Sequence, residues 1–162
     1  MDYMQKAINE GFKGMRANEG GPFGAVIVKK TQSKTKGVET KIIAVAHNTV
    51  LKTNDPTAHA EINAIRKATK KLKRFDLSDC EIYSTCEPCP MCLAAIEWAR
   101  IKKLYYGCTR ADTDKIGFSD KVIYDEIKVF PKTKHLKVIQ VDREKAKALF
   151  LEWENKKNKK MY

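Results

Sequence analysis

No stretch of this sequence approaches the ~18 consecutive apolar residues of a membrane span, which sets aside a helical membrane protein. The opening residues, MDYMQKAINEGFKGMR, contain no apolar core of the kind that marks a secretory leader. Cysteine is scarce. There are five, an odd number, and three of them crowd into CEPCPMC at 86–92, which does not suit a disulfide framework. The expectation is a reducing, cytoplasmic compartment. Internal repeats and Pro/Gly/Ser-rich linkers are also lacking. A chain of 162 residues without either is expected to form a single domain spanning 1–162, large enough to bury a core without staples.

Acidic residues are missing from three segments: KKTQSKTK (29–36), RKATKKLKR (66–74) and NKKNKK (155–160). These hold 14 of the 32 Lys and Arg residues, so the other 18 face 20 acids and the net charge of +12 is local. Solvated lysine faces account for such runs. RNA remains a candidate partner because a basic patch is also the footprint of nucleic-acid binding.

The periodicity alternates between helix and strand. Met4, Ala7, Ile8, Phe12 and Met15 recur at helical spacing over 2–17, and NEGGPFG then breaks the helix. FGAVIV and KIIAVAH read as antiparallel strands joined by a polar hairpin loop, TQSKTKG. NTVLKTNDP reads as a loop. Ala58, Ile62, Ile65, Ala68 and Leu72 give an amphipathic helix over 57–74, opened by Asp55 and Pro56. CEIYST is a third strand, PCPMCLAAIEWAR a helix and KKLYYG a fourth strand. A helix over 120–127, a fifth strand HLKVIQV (135–141) and a closing helix from about 142 complete the order. The pattern predicts an α/β fold: a three-layer α/β/α sandwich around a five-stranded mixed sheet.

His59, Glu61, Cys89 and Cys92 stand out because each lies at the start of a predicted helix. Zinc accepts imidazole nitrogen and thiolate sulfur. Three protein ligands, His59, Cys89 and Cys92, leave a fourth position open for an activated water. Glu61, two residues past His59, is placed to reach the water as a general acid–base rather than to bind the ion. Competing readings exist for the thiols: a redox pair, a core pair, a structural zinc, or an iron–sulfur run through Cys86. The iron–sulfur reading lacks a fourth thiol, since Cys80 and Cys108 fall in predicted strands and read as core. Cys86 reads as a small residue near the pocket, Trp98 as packing, and His47 and His135 as surface or strand-end residues.

His59-Ala60-Glu61 followed by Pro88-Cys89-Pro90-Met91-Cys92 matches the H-x-E…P-C-x-x-C pattern of zinc nucleobase deaminases. Over nearly its whole length the sequence resembles the cytidine-deaminase-like superfamily. Within that superfamily, GGPFGAVIV (20–28), NDPTAHAEINAIRKA (54–68), CEPCPMCLAAIEWAR (86–100) and GFSDKVIYDEI (117–127) most resemble bacterial guanine deaminases. The resemblance implies one zinc per chain and hydrolysis of guanine to xanthine and ammonia, with Glu61 shuttling the proton. It further implies that Asn48 binds the base edge, that Phe23 stacks on the ring, and that Asp120 handles the second proton or the amino group. Tyr162, in a tail after the closing helix (about 142–162), would act as part of an active-site lid exchanged between the subunits of a homodimer. Gly20, Gly21 and Gly24 either let backbone approach the base or serve a plain turn, and Phe23 and Asn48 have core-packing and turn readings of their own. A tRNA adenosine deaminase shares the metal motif, but such enzymes carry Val or Ile where this chain has Phe23. Another base or nucleoside deaminase, or an inactive zinc-stabilised RNA-binding module, stays open; an intact Glu61 argues against the last.

Overall fold

A computed structural model describes residues 2–33 and 37–161, which divide into two compact units, one ending at Asp120 and the other starting at Lys121. The first unit opens with α1 (Tyr3–Arg16), whose first turn is capped by the Asp2 side chain accepting from the Gln5 N–H at 2.9 Å. β1 (Gly24–Ser33) and β2 (Gly37–His47) then pair antiparallel, so that His47 lies opposite Gly24. The tip of the hairpin loop, 34–36, lies outside the described residues. β3 (Cys80–Cys86) joins the other side of β1 antiparallel, and β4 (Lys103–Cys108) runs parallel to β3, giving the order β2-β1-β3-β4.

Alternation along the strands sorts the two faces. Ala25, Ile27, Cys80 and Ile82 pack into one cluster with Ala60, Ala64 and Ala68 of α3 (Ala60–Leu72) and Ile96 of α4 (Pro90–Trp98). Val26 and Val28 face Ala7 of α1 on the other side, with Tyr83 packed against them. The three α/β/α layers expected from the sequence are therefore present. The small residues matter here. Gly24 lies so close to α1 that a Cβ would stand 2.0 Å from the Ala7 carbonyl oxygen. Alanines on α3 likewise let that helix lie close against the sheet.

Several expectations need correction. The helix expected from Thr57 begins at Ala60, because the Asp55 carboxylate takes both the Thr57 N–H (2.8 Å) and its hydroxyl (2.6 Å) in a turn that holds 55–57 outside the helix. The loop after β2 contains a single helical turn, α2 (Val50–Thr53), and α5 (Arg110–Lys115) follows β4, opened by a reciprocal Thr109–Asp112 capping box. Cys80 is buried, but Cys108 is exposed, and Trp98 is 69% exposed rather than packed.

The second unit contains α6 (Lys121–Val129) and α7 (Arg143–Asn155). The fifth strand expected over 135–141 is not formed, and the sheet has four strands among the described residues. The alternating pattern of this segment suits a strand, but a strand needs a neighbour to satisfy its backbone. Its own unit offers none: Glu126 instead takes the N–H groups of Lys134 and His135, and Leu136, Ile139 and Val141 stay exposed.

Candidate active site and metal centre

Two helix starts converge behind the carboxyl ends of β2 and β3. His59 is the N-cap residue of α3 and Cys89 that of α4, with Pro90 fixing the first helical position. Neither side chain caps its own helix. The Nδ1 atom of His59 instead lies 3.6 Å from Sγ of Cys89 and 3.6 Å from Sγ of Cys92, and the three potential ligand atoms all fall within 4.8 Å of one another. Zinc–nitrogen and zinc–sulfur bonds of about 2.05 and 2.3 Å, at a tetrahedral angle, place nitrogen and sulfur about 3.6 Å apart. The donor set and its spacing therefore fit zinc.

The electrostatics agree. The Cys89 thiol is pushed down to about 4, first by its hydrogen bond with Cys92 and then by His59, against the effect of burial. Its place at a helix N-terminus adds the positive end of the α4 dipole. Cys92 is pushed up by its bond to Cys89, by burial and by the nearby Glu61 charge. Two thiols competing for one proton and one imidazole are what a divalent cation would relieve, because it stabilises both thiolates together.

Glu61 occupies the first turn of α3 and is 6% exposed. Burial is the largest influence on its carboxyl and raises its pKa. One oxygen, Oε1, accepts from the Ser84 hydroxyl of β3 at 3.0 Å; the other, Oε2, lies 3.4 Å from the Cys92 sulfur. The carboxyl thus borders the metal position without belonging to the ligand trio, and it is tuned toward carrying a proton.

Residues 1–108 match the cytidine and deoxycytidylate deaminase zinc-binding region. The chain belongs to this deaminase family. Guanine deaminase of Bacillus subtilis (strain 168) is 43% identical over 160 residues, covering 99% of this chain and 97% of that protein. The X-ray structure of guanine deaminase from Bacillus subtilis superposes with a TM-score of 0.90 over 100% of this chain and 99% of its own, at 43% identity. The tRNA-specific adenosine deaminase of Buchnera aphidicola subsp. Schizaphis graminum is 39% identical over 101 residues, 62% of this chain and 61% of that protein.

Zinc is thus the metal that His59, Cys89 and Cys92 of this deaminase hold. The other residues singled out from the sequence are distributed as follows. Asn48 is buried directly after β2. Its N–H donates to the Phe23 carbonyl at 3.0 Å and its Oδ1 accepts from the Val50 N–H at 3.1 Å. Gly20 abuts it so closely that a Cβ would meet Oδ1 at 2.2 Å. Phe23 is half-buried and meets Phe118 edge-on, with ring centroids 5.2 Å apart. Phe23 and Cys86 also line an apolar groove of about 620 Å³ together with Met4, Ile8 and Phe12 of α1. Asp120 pairs with Arg110, Nε to Oδ1 at 3.0 Å, rather than with Glu61 or the ligand trio. Tyr162 lies outside the described residues. His47, expected at a surface or strand end, is at the strand end but buried.

Sequence reasoning missed two residues. Ser84 was hidden in a strand pattern, although period-two alternation from Ile82 sets it on the α3 face and a buried hydroxyl there needs a partner. Asn63 ties the loop to α3, its Nδ2 donating to the His47 carbonyl (3.0 Å) and the Thr49 hydroxyl (2.9 Å). No local pattern marks it, since two of its partners, His47 and Thr49, are 16 and 14 residues away.

Proposed function

We propose that this deaminase hydrolyses guanine to xanthine and ammonia. The observation that carries the reading is the near-complete match in sequence and fold to the Bacillus subtilis guanine deaminase. The relative named for tRNA covers under two thirds of the chain. When bound, zinc supplies Lewis-acid activation of water at neutral pH. Glu61 takes a proton from the attacking water on a carboxylate oxygen and delivers it to the departing amino nitrogen, while the Ser84 hydroxyl keeps the carboxylate plane fixed. Asn48 presents an amide to the base edge, and the half-buried Phe23 ring offers a stacking face. In this reading Asp120 handles the second proton or the amino group, and Tyr162, outside the described residues, belongs to a lid formed by the 142–162 segment of the other subunit.

The same reading includes a homodimer. β4 is the last strand of the sheet among the described residues, and the second unit leaves Leu136, Ile139, Val141, Leu149 and Phe150 more than 60% exposed, which in water favours burial against a second copy with exchange of the C-terminal segment. No helix among the described residues is long and apolar enough to cross a membrane. A reducing, cytoplasmic setting belongs to the same reading, because the Cys89 and Cys92 thiols must stay reduced to hold a metal.

Ammonia release from guanine, adenine, cytosine, their nucleosides and tRNA tests the substrate. Release from guanine at least a hundredfold faster than from the others is expected. Preferential deamination of tRNA adenosine would replace this reading with the runner-up.

A further inference from the structure

The end of β2 carries a charged cluster outside the metal centre. The buried ring of His47 has Nδ1 2.8 Å from Oε1 of Glu10 on α1 and Nε2 2.8 Å from Oε2 of Glu19 on the loop between α1 and β1. Each ring nitrogen thus has its own carboxylate oxygen within hydrogen-bond distance, and the ring bridges the two side chains. The Lys52 ammonium of α2 donates to the other Glu19 oxygen at 2.8 Å. Glu10, Glu19 and Lys52 are the charged groups facing the ring from the packed elements, and α3 contributes the neutral Asn63 to the His47 carbonyl. Gly14 of α1 makes the space: a Cβ there would come within 2.3 Å of the ring.

The cluster adjoins Asn48, the residue after His47. The Glu19 backbone carbonyl takes the N–H groups of Leu51 and Lys52, and Gly20, the next residue, abuts the Asn48 side chain. The Asn48 N–H holds the Phe23 carbonyl. Thus the ring ties α1 and the 17–23 loop to β2, and Glu19 carries the link on to α2, next to the residue read as binding the base edge.

We propose that His47 is a positioning residue for purine recognition: bridging Glu10 and Glu19 through its two ring nitrogens, it fixes the Asn48 amide and the Phe23 loop in the orientation that accepts the base. The proposal rests on the reading of Asn48 and Phe23 as base contacts. Glu19, held down to about 2 by Lys52 first and His47 second, remains a full acceptor across the working pH range. His47 makes no contact with the ligand trio or Glu61, so its loss acts on binding more than on the proton transfer.

The test is steady-state kinetics on the zinc-loaded enzyme with guanine. His47→Gln, whose two N–H donors share one nitrogen and cannot bridge Glu10 and Glu19 as the two ring nitrogens do, is expected to raise KM about tenfold with kcat within threefold and zinc content unchanged. Glu19→Gln, on a partly exposed side chain, is expected to move KM the same way by a smaller factor and covers the case in which His47→Gln does not fold. In His47→Gln/Asn48→Ala the KM increase is expected to fall well short of the product of the two single increases, because His47 acts in large part through Asn48. An unchanged KM in both His47→Gln and Glu19→Gln, or equal falls in kcat and zinc content, would overturn the proposal. If Asn48→Ala leaves KM unchanged, the base-edge reading itself fails, and the positioning role falls with it. A tenfold effect of Asn48→Ala with none from either cluster variant would sink the positioning role alone.

Discussion

Glu61 combines two properties that one carboxyl rarely has: it is buried, which favours its protonated form, and it faces a hydroxyl donor that favours the ionised one. A group balanced between the two states suits a proton carrier. Glu61→Gln is expected to retain one zinc per chain while turnover falls about 10²–10⁴-fold, the usual range for general acid–base catalysis; elemental analysis alongside ammonia release measures both. Cys89→Ala, by contrast, removes a ligand and should abolish zinc retention, and a full zinc complement after dialysis would contradict the assignment. Ser84 acts through Glu61. Ser84→Ala deletes a hydrogen bond to an ionisable group, worth about 1.5–3 kcal/mol, so a fall in kcat of about 10- to 100-fold is expected with zinc content preserved. If Ser84→Ala turns over guanine at the parent rate, the hydroxyl plays no part in orienting the carboxyl.

At the scale of elements, the metal centre was legible because its signals are local. His59 and Glu61 lie two residues apart, Cys89 and Cys92 three apart, and both pairs sit at helix starts marked by prolines. The three layers were legible for a similar reason, since period-two strands and period-3.6 helices alternate along the chain. What escaped was non-local. The expected strand over 135–141 has the right alternation, but its formation depends on a partner edge that its own unit lacks. The clasp of the 17–23 loop on α2 also joins residues 28–37 positions apart, and no window of sequence could have shown it. That clasp has a measurable pH signature. Glu19 has its pKa lowered from 4.5 to about 2 by the Lys52 and His47 hydrogen bonds. A carboxyl lowered on folding contributes stability above its unfolded value, and that contribution is lost as pH falls through its folded value. Thermal melts are therefore expected to show the parent losing stability between pH 4.5 and about 2 more steeply than Glu19→Gln. Parallel curves over that window would mean the ion cluster does not couple to folding.

For the molecule as a whole, the distribution of apolar surface is informative. The first unit buries two clusters on opposite faces of its sheet, whereas α7 in the second unit leaves Leu149, Phe150 and Leu151 more than half exposed. An exposed apolar surface of that extent on the second unit favours self-association. Sedimentation equilibrium at micromolar concentration is expected to give a dimer with little monomer. The tail contributes differently. Residues 156–162 follow the end of α7 and add four lysines but no buried side chain among the described residues, so they cannot hold the core together. Removing them should leave the melting temperature within about 2 °C, since surface changes away from packed features usually stay within ±0.5 kcal/mol. If Tyr162 closes over the base, the same truncation should lower kcat/KM for guanine at least tenfold while the dimer persists. Equal kcat/KM for the truncated and full-length chains would remove the lid role from the tail, and a dimer lost on truncation would move the tail's contribution to the subunit interface.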